Sequence, residues 1–141
     1  MALPRVTDVR VEDYLTGKGL SFSRDNDNDI VVGYEEIFFF FTIGEDLLRI
    51  AGYRRGKLNH DEGRAAAAAN ALNTEMVMPR TVISGDGDNI VFENVVDTAA
   101  GLTDEQLGTF IDVAFEVSFR AADRIDEEFP GLVQPVEEGG N

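Results

Sequence analysis

Asp25, Asp27 and Asp29 stand at alternate positions, and Glu36 is twelfth counting from Asp25. These are places one, three, five and twelve of a calcium loop, which holds its ion through oxygen ligands. The sixth place, where such a loop needs a glycine for its sharp turn, is Ile30. The flanking residues alternate like strands, not helices. Asp25-Asn26-Asp27-Asn28-Asp29 is therefore read as a hairpin turn, with weak cation binding as the other possibility. Gly85-Asp86-Gly87-Asp88-Asn89 reads as a second hairpin turn with no carboxylate partner close in sequence.

His60 is the one histidine, and there is no cysteine. A lone histidine cannot build a two-histidine metal site. A dyad with Asp61 is disfavoured because adjacent side chains point apart. No nucleophile elbow, phosphate loop or dinucleotide fingerprint is present. The expectation is no catalytic residue, no cofactor, no metal and no enzymatic activity.

Arg49, Arg54, Arg55, Lys57 and Arg64 concentrate five of the twelve basic residues in one stretch. They read either as a docking point for an acidic partner or anion, or as charges balancing nearby carboxylates. Arg54, Arg55 and Lys57 are the candidate contacts. The candidate interface is apolar. Four phenylalanines run from position 38 to 41. On a strand, Phe38 and Phe40 point one way and Phe39 and Phe41 the other. Both faces are then apolar, so helices cover both or another chain covers one. The last helix carries a core stripe through Leu107, Phe110, Ile111, Ala114, Ser118, Ala121, Ala122, Ile125 and Phe129. Val113, Phe115, Val117 and Phe119 widen it beyond one side. Self-association is one way to bury the excess, and Phe38, Phe40, Phe115 and Phe119 are its candidate contacts.

The formal charge is −15, from 27 acidic and 12 basic residues. Phosphate polyanions and anionic membrane surfaces are repelled by such a chain. The expected partners are therefore basic or neutral, with no nucleic acid and no membrane; a protein client or regulatory partner is the class expected. Residues 1–6 hold one arginine with no apolar stretch after it, unlike a signal peptide. The longest apolar run, residues 37–43, is too short to span a bilayer. The expected location is the cytoplasm.

These side chains need elements to carry them. Thr7 caps a first helix, with Val6 and Val11 at staple spacing and Gly17 and Gly19 at its end. Strands are expected over 20–24, 30–34, 37–43 and 47–53. A run of five alanines at 65–69 centres a helix over 61–73. Asn59 with Glu62 forms a capping-box variant at its start, and Asn73 a left-handed cap at its end. Strands follow over 76–84 and 90–97. A final helix starts at Thr103, with Gln106 completing a capping box, and stops before Pro130. The order α-β-β-β-β-α-β-β-α predicts an α+β domain over 1–133, a twisted antiparallel sheet with three helices, and a flexible tail over 134–141.

From residue 65 onward the sequence resembles the YbjN family of bacterial sensory transduction regulators. Asn70-Ala71-Leu72-Asn73 followed by Met78-Pro79-Arg80 resembles the family's Asn-x-Trp-Asn and Pro-Lys segments, with Leu72 for the tryptophan and Arg80 for the lysine. The hairpin over 84–89, the strand over 90–97, and Gly101-Leu102-Thr103 with Gln106-Leu107 fit as well. The earlier half matches in layout. The resemblance implies a fold like that of type III secretion chaperones, which are homodimeric and hold extended client segments. It implies no reaction, metal or cofactor. The function expected is a regulatory or chaperone-like protein-binding module, acting as a homodimer. The alternative is a small-molecule or anion sensor using residues 49–64. An enzyme built on scattered carboxylates ranks last.

Overall fold

Thr7 starts the first helix, α1 (Asp8–Gly17), by accepting the Arg10 amide on its Oγ1 at 3.3 Å. Val6 and Val11 are both buried, as the staple spacing predicts. The computed structural model describes residues 3–59 and 63–134. After α1 come β1 (Ser23–Arg24), β2 (Ile30–Tyr34), β3 (Ile37–Ile43), β4 (Leu47–Arg54) and β5 (Lys57–Leu58). Helix α2 (Arg64–Glu75), β6 (Arg80–Ile83), β7 (Ile90–Asp97), α3 (Asp104–Glu128) and β8 (Val133–Gln134) complete the order. The main sheet is antiparallel throughout, in the order β1-β2-β3-β4-β7-β6.

The expected fold class and element order hold, with two additions. β5 and β8 pair as a separate two-stranded sheet, Lys57 opposite Gln134 and Leu58 opposite Val133. Gln134, expected in the tail, is thus a strand residue. Residues 135–141 lie outside the described residues.

The side chains of the sheet divide by parity. Ile37, Phe39 and Phe41 of β3 are buried together with Val32, Ile50 and Phe92 from its neighbours. All of them share a core with Val11 and Leu15 of α1, Leu72 of α2 and Ile111 and Ile125 of α3. Helix α3 contacts β4 and β7 and both other helices. Much of its apolar width is therefore used inside the chain. Thr103 and Gln106 form the expected capping box at its start. At Gly108 the missing side chain admits the Tyr14 ring of α1, which lies 2.5 Å from where a Cβ would sit. Burial, with a hydrogen bond to Asp112, pushes the Tyr14 phenol up to about 12. It stays protonated at neutral pH and ties α1 to α3.

Helix α2 departs from expectation at both ends. Its N-cap is Gly63 in a left-handed conformation with no side-chain cap, so Asn59 does not cap it. Glu62 lies outside the described residues. At the other end the helix runs on to Glu75, and its cap is Met76 in extended conformation. Asn73 instead reaches across to edge strand β6. Its Nδ2 donates to the Thr81 carbonyl at 2.9 Å, and its Oδ1 accepts the Thr81 amide at 2.8 Å. The side-chain amide takes the place of a further strand at that position and closes part of the edge to other chains. Asn73→Ala should cost about 1–2 kcal/mol, the two lost hydrogen bonds. Asn73→Asp keeps the acceptor but turns a second oxygen toward the Thr81 carbonyl, so urea unfolding should show no recovery over alanine. Wild-type stability in Asn73→Asp would refute this bridging role.

Candidate functional site

Among the described residues, no helix lies on the other side of the sheet. Across it, Phe38 lies between Gly33 of β2 and Tyr53 of β4, and Tyr53 is next to Val91 of β7. One row along, Phe40 lies between Val31 and Ala51, followed by Glu93 and Arg80. A third row holds Thr42, Arg49 and Val95. Phe38 is 40% exposed, Leu47 50% and Val95 49%, and all three belong to this side. Apolar side chains this exposed on one side of a sheet are the mark of a contact surface.

The aromatic part of the face is ordered. The Phe40 and Tyr53 rings meet edge to face at 5.2 Å. The Arg55 guanidinium lies 4.2 Å from the centre of the Phe38 ring, a cation–π stack. Gly33 makes room for that stack. A Cβ there would fall 3.2 Å from Arg55 Nη2 and 3.3 Å from the Phe38 ring.

The rest of the face is charged. Glu93 accepts from Arg80 Nε at 2.9 Å on one side and pairs with Arg49 on the other. Burial alone raises the Glu93 carboxyl. The two guanidiniums outweigh it and hold the group below its usual range.

Of the four residues expected at an interface, the structure brings two together. Phe38 and Phe40 share the helix-free face. Phe115 and Phe119 are on the opposite side, and for Phe115 the expectation is corrected. Phe115 is 4% exposed, with its ring against Tyr34, Phe39 and Phe41. Phe119 is half-buried against Tyr34 and Phe39. Both rings are thus packed within the chain, against the sheet. Tyr53, Leu47, Val95 and Glu93 were not legible as parts of a site. Strand alternation could have flagged them, but only the register puts them beside Phe38 and Phe40.

The basic segment is dispersed among carboxylates. Arg54 pairs with Glu36 at 2.8 Å and Asp126 at 3.3 Å. Lys57 lies 4.0 Å from Asp88, and Arg64 donates to the Pro130 carbonyl at 3.1 Å. Only Arg55 of the three candidate contacts joins the open face, through Phe38.

The acidic turn is built from its own carboxylates. Asp25 Oδ1 accepts the amides of Asp27 at 3.0 Å and Asp29 at 2.9 Å. Asp29 accepts the Thr42 hydroxyl at 3.1 Å, while Glu36 is held by Arg54. Among the described residues no group of three histidine or acidic side chains could hold a metal ion. His60 and Asp61 lie outside the described residues. On the helical side, Met78, Val96, Leu102, Phe110 and Val113 line an apolar groove of about 670 Å³. No described helix is long and apolar enough to cross a membrane.

Residues 7–127 match the YbjN family, described as "Putative bacterial sensory transduction regulator". A search of curated proteins finds no match. Among solved structures the chain is similar to the crystal structure of YbjN from E. coli, described as "a putative transcription regulator". The TM-score is 0.79 at 13% identity, covering 95% of this chain and all of that one. At that identity the likeness concerns the fold. The family match spans most of the chain, in the segments that build the sheet and its three helices, and the chain therefore belongs to the YbjN family.

Proposed function

We propose that the chain is a non-enzymatic, cytoplasmic regulatory module that works by holding a protein chain against the helix-free face of its sheet. One observation carries this reading. Phe38, Phe40 and Tyr53 cluster at one end of a face that no described helix covers, and Leu47 and Val95 are exposed towards its other end. A soluble domain leaves such a face open at a cost in solubility, and a partner's apolar surface removes that cost. Chaperone-like behaviour, expected from the family's fold, is compatible with this face but rests on analogy of fold. Anion sensing through residues 49–64 has less support, because Arg49, Arg54 and Lys57 already face carboxylates.

Photo-crosslinking tests the reading. A benzoylphenylalanine at position 38 or 95 should give a protein adduct of defined mass in cells, identified by mass spectrometry. The same group at Asp123, exposed on α3, should give none. No adduct at either sheet position would sink the proposal.

A further inference from the structure

We infer that the partner on this face presents a carboxylate to the Arg55 guanidinium, on a segment whose neighbouring side chains are apolar; the inference rests on the protein-binding reading above. In a chain with 27 acidic residues, most basic side chains face a carboxylate, from Arg10 with Asp104 to Arg124 with Glu75 and Glu128. On the open face, Arg49 and Arg80 share Glu93. Among the described residues Arg55 meets no carboxylate. Its side chain has one partner, the Phe38 ring, 4.2 Å away. Its Nε is buried without a hydrogen bond, whereas Nη1 and Nη2 are not buried and donate to no described residue.

The guanidinium is held in place before any partner arrives. The Arg55 amide donates to the Glu36 carbonyl at 2.8 Å, and its own carbonyl accepts from Arg54 Nη1 at 3.0 Å. Gly33 leaves space beside Phe38, with Arg55 Nη2 3.2 Å from where a Cβ would sit. A planar cation held over a ring keeps its edge free. With Nε closed off, that edge is the Nη1–Nη2 pair, two donors that match the two oxygens of one carboxylate. A side chain ordered in advance loses little freedom when the bond forms.

The surroundings decide what must accompany the carboxylate. Phe38 is 40% exposed beside Tyr53, whose ring meets Phe40 at 5.2 Å. An apolar side chain next to the acid covers these rings and lowers the dielectric in which the ion pair forms. The charge of −15 opposes every anion. A free dianion such as phosphate meets that repulsion with one open guanidinium and no apolar contact to offset it. A single carboxylate on an apolar segment meets less repulsion and gains the rings.

Selection from a displayed random peptide library on the full chain is the test. Peptides enriched by the wild type should carry Asp or Glu next to aromatic or aliphatic residues, against the preference that net charge alone imposes. Replacing that acid by its amide should weaken the best peptide by about 10-fold or more, the effect of one charge-assisted pair. Arg55→Gln should weaken the acidic peptide by the same factor and leave binding of its amide form unchanged. Arg55→Lys keeps the charge without the planar fork and should recover little. The Arg55 side chain has no hydrogen bond to lose, so the fold should survive, and the circular dichroism melt checks this. Enriched peptides without an acid, acidic peptides bound equally by Arg55→Gln, or no enrichment at all would overturn the inference. The first of these outcomes leaves the protein-binding reading standing, and that reading falls separately, on the absence of adducts at positions 38 and 95.

Discussion

Phe39→Ala should destabilise the chain by about 3–5 kcal/mol, the range for emptying a buried aromatic site. Phe38→Ala, one residue earlier, should change stability by no more than about 1 kcal/mol. Phe39 is 0% exposed, and its ring meets Phe115 at 4.7 Å and Phe119 at 5.8 Å under α3. Removing it leaves a cavity that the rigid sheet cannot close. Phe38 loses only the Arg55 stack and its contact with neighbours on the open face. Urea unfolding of the two variants, with the chain dilute enough to be monomeric, measures the contrast. Equal losses would mean that both faces of β3 are buried within one chain, and the open face would lose its basis.

Gly101→Ala should cost about 3–5 kcal/mol for a different reason. Gly101 has φ +80, a left-handed conformation that costs a residue with a side chain about 1–2 kcal/mol. A Cβ there would fall 2.3 Å from the Leu3 carbonyl oxygen and 2.6 Å from that of Pro4. Backbone oxygens cannot rotate aside, so the N-terminal segment has to lift. That segment is anchored by the Leu102 amide donating to Pro4 at 3.0 Å and by Arg10 Nη1 donating to the carbonyls of Pro4 and Arg5. Lifting it loses about 1 kcal/mol of hydrogen bonding and part of the buried Val6 contact, worth up to about 2 kcal/mol. Gly19 is the control. It has φ +79 and nothing within 4 Å of its would-be Cβ, so Gly19→Ala should cost only the conformational 1–2 kcal/mol. Matching losses for the two alanines, read from their unfolding midpoints, would show that the N-terminal segment does not press on Gly101.

Local chemistry explains which elements could be read in advance. Thr7 with the Val6–Val11 staple, and Thr103 with Gln106, sit where the sequence places them, because a cap depends on residues within one helical turn. Both hairpin turns are recognisable for the same reason. Asn73 shows the limit of local reading. An asparagine near a helix end favours a left-handed cap, yet its amide forms two hydrogen bonds to Thr81 on another element. The β5–β8 pairing has no local signal, because two-residue strands have no period and their partners are far apart in the chain.

The sequence by itself determined the α+β class, the order of helices and long strands, the acidic charge and the family. Each follows from composition, from periods of two or 3.6, or from short motifs. Tertiary structure alone decided which phenylalanines form the core and which the open face. Strand parity separates Phe38 and Phe40 from Phe39 and Phe41, but it does not say which pair the helices cover. That choice is made by where α1, α2 and α3 pack, and all three pack on the Phe39 side. It also sends Phe115 inward, against Phe39. The sheet register then gathers Phe38, Phe40, Tyr53, Val95 and Glu93, from three strands, into one uncovered face.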